Sequence, residues 1–292
     1  MMKTKSLNLL ILIAGMSLFA GCSKDDGVSP DDPNALRTIK LSVEASYSRT
    51  INLELKNSNY NVSFPTDLFI DWGDGSTTSS DSHEYSTLGT YNVTIQAKNL
   101  KWFGSDRGEI QQIDVKDCNS LVGIDLHDND LTSLDVSGLT ALEYLNCYYN
   151  DLSTLNLKGC SALKELDCSS NELTTLDVSG LAALESLDCG YNDLSTLNLK
   201  GCSALKELVC SSNELTTLDV SGLAALESLD CDSNDLSAEA LNQIFKDLPQ
   251  GKTFEDKYGN TKQSTIKIYG NPGEDKCDKS IAERKGWKIY IY

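Results

Sequence analysis

The stretch LEYLNCYYNDL, residues 142–152, recurs with small changes every 21 residues along the centre of the chain. Its frame is Leu-x-x-Leu-x-Cys-x-x-Asn-x-Leu, and one asparagine marks each copy: Asn129, Asn150, Asn171, Asn192, Asn213 and Asn234. A fixed period of this size indicates a solenoid in which each repeat forms one coil. One coil cannot bury its apolar face alone, so neighbouring coils must supply the rest.

Each position of the frame has a physical reason. We expect the leucines and the cysteine to point inward from a short strand, and the asparagine to turn the chain out of it. A second extended segment with little helix follows, and it carries Leu152, Leu155 and Leu157 in one copy. Six coils stacked at strand spacing span about 29 Å. Residues 152–193 and 194–235 form a duplication that favours a scaffold over a catalytic site, and they differ only at Asp167/Val209, Gly190/Asp232 and Tyr191/Ser233.

The frame resembles that of the leucine-rich-repeat family over about residues 109–236. This resemblance implies a solenoid over residues 106–236 whose ends are covered and whose ligands differ widely within the family. After the last copy, Ser237 is placed to cap a helix that carries Leu241 and Ile244 on one face. We therefore predict a small α/β C-terminal cap over residues 237–292 in a mainly β protein.

Eight of the ten cysteines follow the repeat rather than a disulfide pattern, and of the other two Cys277 is unassigned and Cys22 lies near the amino terminus. Five take the inward position of the frame and three recur elsewhere with a 42-residue period: Cys147, Cys168, Cys189, Cys210 and Cys231, and Cys118, Cys160 and Cys202. Parallel side chains have poor disulfide geometry, and a ladder does not converge on a metal ion. We predict free, buried thiols that act as small apolar side chains, and no metal site.

A different pattern precedes the repeats, IDWGDGSTTSSDSHEYSTLGTYNVTIQA over residues 70–97. A tight polar turn at residues 72–75 follows one strand, and Tyr91, Val93 and Ile95 alternate along another. The order of these motifs resembles the PKD family of small extracellular β-sandwiches. This resemblance implies an N-terminal PKD-like β-sandwich over residues 35–105 that serves as a spacer.

Three side chains of this motif are candidates for chemistry. Asp71 and Asp74 are expected to cap the turn by accepting hydrogen bonds from backbone amides. The alternative is that they contribute to a cation site. His83 is expected to pack beside Tyr85 as a structural residue.

The amino terminus has the pattern of an export signal. Lys3 and Lys5 precede an apolar run at residues 9–20 that is too short to span a bilayer comfortably. Residues 18–22 resemble a lipobox, which implies that residues 1–21 are removed as a signal peptide and that Cys22 carries lipid. The alternative is an ordinary signal peptide followed by an incidental cysteine. Residues 22–34 are expected to form a flexible tether. Residues 23–27 resemble the acidic export tag of bacterial surface lipoproteins, and the alternative is a run of solvated charges in a linker.

Charge narrows the choice of partners. The chain has 25 Lys and Arg against 43 Asp and Glu, a formal charge of −18. Such a surface repels nucleic-acid backbones and anionic lipid headgroups, whereas a basic protein, a cation or a neutral glycan stays possible. The sequence has no Gly-x-Ser-x-Gly, His-Glu-x-x-His or phosphate-loop motif. We expect no enzymatic activity, no cofactor and no nucleic-acid partner.

A candidate ligand site follows from the outward positions of the repeat. The position before the cysteine is acidic in most copies, and tyrosines with one histidine cluster near the first coils. Exposed tyrosines beside acids suit a protein or glycan ligand, although a regular array of solvated spacer residues would look the same. The predicted ligand-binding residues are His127, Tyr144, Tyr148, Tyr149, Asp167, Asp188, Tyr191 and Asp230. Lysine at Asp188 and Asp230 is expected to weaken binding.

A surface binding protein is the favoured interpretation, as an adhesin, a receptor for a host protein or a glycan-capture accessory. We expect it to be anchored in the outer membrane through the lipid on Cys22 and to face outward. The alternative is a structural envelope protein, and an accessory to an extracellular enzyme system is a weaker one.

Overall fold

The computed structural model describes residues 36–45, 49–56, 65–105, 109–255 and 259–291. These residues form a mainly β protein in which a β-solenoid follows a two-sheet unit and ends in a short α/β segment. The predicted signal peptide, the tether and Cys22 lie outside the described residues. Within them, no helix combines the length and the apolar character needed to cross a membrane.

The two-sheet unit contains eight strands: β1 (Leu36–Ala45), β2 (Thr50–Lys56), β3 (Thr66–Asp71), β4 (Thr77–Thr78), β5 (Ser82–Glu84), β6 (Gly89–Lys98), β7 (Trp102–Ser105) and β8 (Ile110–Asp114). One sheet has the order β4-β3-β6-β1-β8, and β5, β2 and β7 lie side by side in the other. Ile39 and Leu41 alternate with less buried residues along β1, as do Ile51 and Leu53 along β2. These apolar side chains belong to one core, so the two sheets pack face to face.

The polar turn at residues 72–75 is held by the carboxylates predicted to cap it. Asp71 Oδ1 accepts a hydrogen bond from Gly73 N at 3.0 Å, and Asp74 Oδ1 accepts one from Ser76 N at 2.9 Å. The hydrogen bonds from Ser76 lower the pKa of Asp74 to about 2. The capping role is therefore confirmed.

His83 lies inside an aromatic stack. Its ring stacks on Trp72 with centroids 5.0 Å apart and meets the Tyr85 ring edge-on at 4.6 Å. Its Nε2 lies 2.8 Å from Asp74 Oδ2. These contacts confirm the predicted packing role.

The solenoid is built on one short parallel strand per coil: β9 (Gly123–Asp125), β11 (Tyr144–Asn146), β13 (Glu165–Asp167), β15 (Ser186–Asp188), β17 (Glu207–Val209) and β18 (Ser228–Asp230). The sheet extends past these six strands in both directions. At one end β7 pairs in parallel with β9, and at the other β21 (Thr265–Lys267) and β22 (Lys288–Tyr290) continue it. One 11-stranded sheet therefore joins the two-sheet unit, the repeats and the C-terminal segment, and it crosses the predicted boundary between residues 105 and 106.

Short strands also form on the opposite side of the coils, as the second apolar segment predicts: β10 (Ser133–Asp135), β12 (Thr154–Asn156), β14 (Thr175–Asp177) and β16 (Thr196–Asn198). They pair only as β10 with β12 and β14 with β16. The hydrogen-bonded unit on this back side is thus a pair of coils, which matches the 42-residue duplication in the sequence.

Asparagine side chains connect consecutive coils. Asn192 Oδ1 accepts from Leu173 N at 3.0 Å, and its Nδ2 donates to Cys168 O at 3.0 Å and to Cys189 O at 3.2 Å. The other five repeat asparagines bond in the same way. Each amide therefore satisfies buried backbone groups of two coils at once.

The cysteines are free, as predicted, in every described case. The five at the inward strand position are fully buried, and the thiol of Cys147 donates to Asp167 O at 3.4 Å. Burial raises the pKa of the Cys118 thiol to about 12 and that of the Cys160 thiol to about 11. Because a thiol is inert while protonated, these side chains serve packing.

The C-terminal segment covers the last coil with α1 (Ala238–Asp247), β19 (Thr253–Glu255), β20 (Thr261–Gln263), β21, α2 (Ser280–Arg284) and β22. Ser237 caps α1 by accepting a hydrogen bond from Ala240 N at 3.2 Å, as predicted. Leu241 and Ile244 are fully buried on the inner face of this helix.

Candidate functional site

The outward side chains of the six repeat strands form a surface that we call the strand face. The first strand positions align across the sheet as Gly123, Tyr144, Glu165, Ser186, Glu207 and Ser228. The third positions align as Asp125, Asn146, Asp167, Asp188, Val209 and Asp230. Each row steps by one strand spacing, about 4.8 Å.

An aromatic ridge borders the strand face where the two-sheet unit joins the repeats. Trp102 of β7 stacks on Tyr144 of β11 with ring centroids 5.2 Å apart, and Lys56 Nζ lies 5.5 Å over the Trp102 ring. The indole lies over Gly123, where a Cβ would be 2.0 Å from its Cε3 atom. A glycine at this strand position is what lets the two rings meet.

The acidic row is less exposed than the sequence suggested. Asp167 Oδ1 accepts hydrogen bonds from Ser169 N at 3.0 Å and from Ser169 Oγ at 2.6 Å, and Asp188 Oδ1 accepts one from Gly190 N at 3.0 Å. These carboxylates close the turns that follow their strands. Burial raises the pKa of Asp188, and the charges of Asp167 and Asp230 add to the rise. The row therefore combines a structural role with crowded negative charge.

Asp230 ends the acidic row in an ion pair. Its Oδ2 lies 2.6 Å from Lys267 Nζ on β21, and its side chain is only 13% exposed. Of the four predicted strand-face residues, Asp230 is therefore the one whose negative charge is neutralised by an ion pair within the chain. Tyr144, Asp167 and Asp188 stay half-buried on the open face.

The other four predicted residues lie beyond the strands, on a surface that we call the turn edge: residues 127–130, 148–151, 169–172, 190–193, 211–214 and 232–235. Tyr148 and Tyr149 are 41% and 43% exposed, and Tyr191 is 67% exposed. His127 connects the two surfaces, because its Nδ1 lies 2.7 Å from Asp125 Oδ1. The structure thus divides the eight predicted residues equally between two adjacent surfaces.

The turn edge also carries a row of carboxylates that the sequence analysis did not single out. Every repeat asparagine is followed by an acid, and all six acids are exposed: Asp130, Asp151, Glu172, Asp193, Glu214 and Asp235. The signal was present as the dipeptide Asn-Asp or Asn-Glu in each copy. An acid in a turn is common in any solvated loop, so the dipeptide alone does not distinguish a binding row from a solvated turn.

No metal centre is evident in the part of the chain that the structure describes. Within it, no three or more His, Cys, Asp or Glu side chains are grouped so that they could hold a metal ion. An open polar groove lies on the back side, where β12 and β14 face each other without pairing, and Asn156, Lys158, Asp177 and Ser179 line it.

Asp232, on the turn edge, gives a test of the electrostatics. Burial and the neighbouring Asp230 raise its pKa to about 6. Because the folded protein holds the Asp232 proton more tightly than the unfolded chain does, the protonated carboxyl stabilises the fold. This stabilisation is complete below the pKa of the unfolded chain and is lost as the pH rises through about 6. We expect Asp232→Asn, which keeps an acceptor for Tyr269 N, to stabilise the fold by about 1 kcal/mol at pH 7.5 after allowance for solvent screening.

The gain from Asp232→Asn should vanish at pH 4, where the carboxyl is already protonated. Denaturant unfolding at the two pH values measures it. Asp219→Asn is the matched control, because hydrogen bonds from Ser221 lower the pKa of Asp219 and the replacement should give no gain. An equal gain at both pH values would show that charge is not the cause.

Solved structures of leucine-rich-repeat proteins are similar to part of the chain. No protein-family model matches the chain, and no curated protein matches it. Among solved structures, a leucine-rich-repeat protein of Leptospira interrogans is 31% identical, with 45% of this chain and 36% of that one covered and a TM-score of 0.43. The functional domain of InlJ from Listeria monocytogenes, described as including a cysteine ladder, is 22% identical over 64% of this chain and 52% of its own, with a TM-score of 0.36.

The internalin InlF from Listeria monocytogenes is 21% identical, with 63% of this chain and 52% of that one covered and a TM-score of 0.48. This chain therefore spans between about a third and a half of the length of these three proteins. It is a mainly β solenoid similar to the leucine-rich-repeat proteins of bacteria.

Proposed function

We propose that the chain is an exported lipoprotein that binds a protein or glycan ligand through the strand face of its solenoid. One observation carries the proposal. The interior of the coils is fully packed, whereas the outward side chains of the same sheet stay accessible, with Glu165 and Glu207 exposed and Tyr144 and Asp188 half-buried. A rigid sheet with an open polar face is a surface for recognition rather than a packing surface.

A protein ligand is favoured over a glycan by the aromatic ridge. A sugar ring binds an aromatic side chain by stacking on a free ring face, but the Trp102 ring is already stacked on Tyr144 and contacted by the ammonium group of Lys56. The ridge offers ring edges and polar tips, which suit the side chains of a protein surface. A glycan ligand stays the second candidate because Tyr148 and Tyr191 are exposed.

The proposed location follows from the amino-terminal sequence. The apolar run before Cys22 supports export, and the lipobox-like residues 18–22 support lipid attachment. The proposed PKD-like unit of residues 35–105 would then hold the solenoid away from the outer membrane, with its strand face toward the exterior.

The experiment measures binding of the mature chain to arrays of host surface proteins and of glycans. The test variant is Asp167→Lys/Asp188→Lys on the strand face. Its matched control is Asp177→Lys/Asp219→Lys on the back side, because these aspartates close the same kind of turn through Ser179 N and Ser221 N. Asp230 is left intact because it pairs with Lys267.

We expect the strand-face variant to lose at least about tenfold in affinity for any ligand found, and the back-side variant to lose less than about threefold. Equal losses would contradict a strand-face site. Absence of any ligand, together with self-association of the purified chain, would favour the structural envelope protein instead.

A further inference from the structure

The exposed tyrosines are concentrated on one narrow surface. Every tyrosine that is strongly exposed within the described residues lies at the turn edge or at its continuation in the C-terminal segment: Tyr148, Tyr149, Tyr191 and Tyr269. Tyr269 extends the edge because Ser233 N donates to Tyr269 O at 2.6 Å. Exposed aromatic side chains collected in one place mark an interaction surface.

The backbone of this edge is rigid. Hydrogen bonds join successive turns, from Tyr149 N to Ser169 O at 3.1 Å and from Ser170 N to Gly190 O at 2.9 Å. The acids are fixed likewise, since Glu172 N donates to Leu152 O and Asp193 N to Leu173 O, each at 3.0 Å. The carboxylates therefore stand in a row with a step of about 4.8 Å, and in the parallel row beside them tyrosine occupies the second and fourth turns as Tyr149 and Tyr191.

The composition of the turn edge is that of a protein-binding surface. Its six turns read HDND, YYND, SSNE, GYND, SSNE and DSND. Tyrosine, serine and glycine are also enriched in antibody binding loops, where tyrosine gives a large contact area at low entropic cost and serine and glycine adapt their hydrogen bonds. The repeat asparagines bond to the backbone instead. The tyrosines thus supply contact area, and the carboxylates beside them determine the sign of charge that a partner must carry.

We propose that the turn edge is a second interaction surface, separate from the strand face, and that it takes a partner protein with a basic, arginine-rich surface. An arginine side chain fits both rows, because its guanidinium pairs with a carboxylate and stacks on a neighbouring tyrosine ring. The six acids supply the attraction along the whole edge.

Negative charges lie close together at the start of the row. Burial raises the pKa of Asp130, and the negative charges of Asp151 and Glu109 raise it further. Binding of arginine side chains relieves this repulsion. Nucleic acids and anionic lipids carry the same sign as the row and are repelled by it.

The test uses octa-arginine as the probe and octalysine as its comparison, with binding to the full mature chain followed by titration calorimetry at low ionic strength. The variant Asp193→Lys/Glu214→Lys reverses two turn-edge charges. Its control, Glu165→Lys/Glu207→Lys, makes the same change in net charge with two exposed acids of the strand face. General attraction between a polycation and an acidic protein changes equally in the two variants, so a difference between them locates the site.

A second pair of substitutions tests the aromatic contribution. Tyr149→Ser/Tyr191→Ser leaves the charge unchanged, and serine already stands at this position in other turns as Ser170, Ser212 and Ser233. The variant is therefore expected to fold. Because arginine stacks on aromatic rings better than lysine does, the loss should be larger for octa-arginine than for octalysine.

We expect the turn-edge charge variant to weaken octa-arginine binding at least about tenfold, and the strand-face control to weaken it less than about threefold. The tyrosine variant should weaken octa-arginine binding about fivefold and octalysine binding less than about twofold. Equal losses in the two charge variants, or equal effects of the tyrosine variant on both peptides, would overturn the proposal. The strand-face proposal is decided separately, because its variants replace none of the acids or tyrosines of the turn edge.

Discussion

Asn192→Ala is expected to lower the free energy of unfolding by about 3–5 kcal/mol, the largest effect of any single substitution considered for this chain. The side chain is 7% exposed and bonds backbone groups of two coils. Alanine leaves Leu173 N buried without a partner, which costs about 1–3 kcal/mol. It also removes the bonds that Asn192 Nδ2 donates to Cys168 O and Cys189 O, although Cys168 O keeps the bond from Asn171 Nδ2 at 3.1 Å. Denaturant unfolding followed by circular dichroism measures the loss.

The control for Asn192→Ala is Glu207→Ser, on the strand face. Glu207 is exposed, and serine stands at the aligned positions of the two neighbouring strands as Ser186 and Ser228. A change within about 0.5 kcal/mol is expected there. If Asn192→Ala lowered the free energy of unfolding no more than this control does, the row of repeat asparagines, which we call the asparagine ladder, would not be what holds the coils in register.

Gly273→Ala is expected to destabilise the C-terminal segment by about 3 kcal/mol, at the upper end for overpacking. A Cβ at Gly273 would lie 2.2 Å from Ala238 N and from the carbonyl carbon of Ser237, at the first turn of α1. These are backbone atoms and cannot rotate away. The residue is also held by the bond from its own N–H to Leu236 O at 2.9 Å.

Hydrogen exchange measured by mass spectrometry reads out the Gly273→Ala effect, with faster exchange expected in α1 and β21 than in the central coils. Gly190→Ser serves as the control, because serine already stands at this position as Ser169 and Ser211. Unchanged exchange in α1 after Gly273→Ala would show that the helix start has room that the structure does not reveal.

The solenoid could be predicted from sequence because its physics is local and repeated. The asparagine recurs in all six copies and the cysteine in five, with Leu126 in the first, so one frame describes the whole solenoid. The prediction of free thiols followed from the same 21-residue repeat, because it places the cysteines at one inward position of successive strands. The aspartate caps at residues 71 and 74 were likewise predictable, because they bond to amides two residues away.

Features that depend on long-range pairing could not be predicted in this way. Asn271 continues the asparagine ladder by accepting from Leu236 N at 3.1 Å and donating to Cys231 O at 2.9 Å. It lies 37 residues after Asn234 rather than 21, so the 21-residue period does not predict that it belongs to the ladder. The parallel pairing of β7 with β9 is equally hidden, because the sequence of Trp102–Ser105 carries no repeat frame.

The candidate site was predicted as one surface and is found as two. The sequence predicted that Tyr144 and Tyr149 lie on the same surface, because both belong to the segment that follows Leu142. The strand ends at Asn146, however, and Tyr149 adopts a positive φ of 57° in the turn. Where a strand of three residues ends is set by the hydrogen bonds of neighbouring coils, which the sequence of one coil does not show.

The claim that this protein binds partners outside the cell is tested most directly by protease treatment of intact bacterial cells that produce it. The amount of this chain that remains is compared with that of a periplasmic control protein. The account predicts that the chain is digested while the control survives. Protection of both proteins would contradict it and would direct the search for a partner to the inside of the envelope.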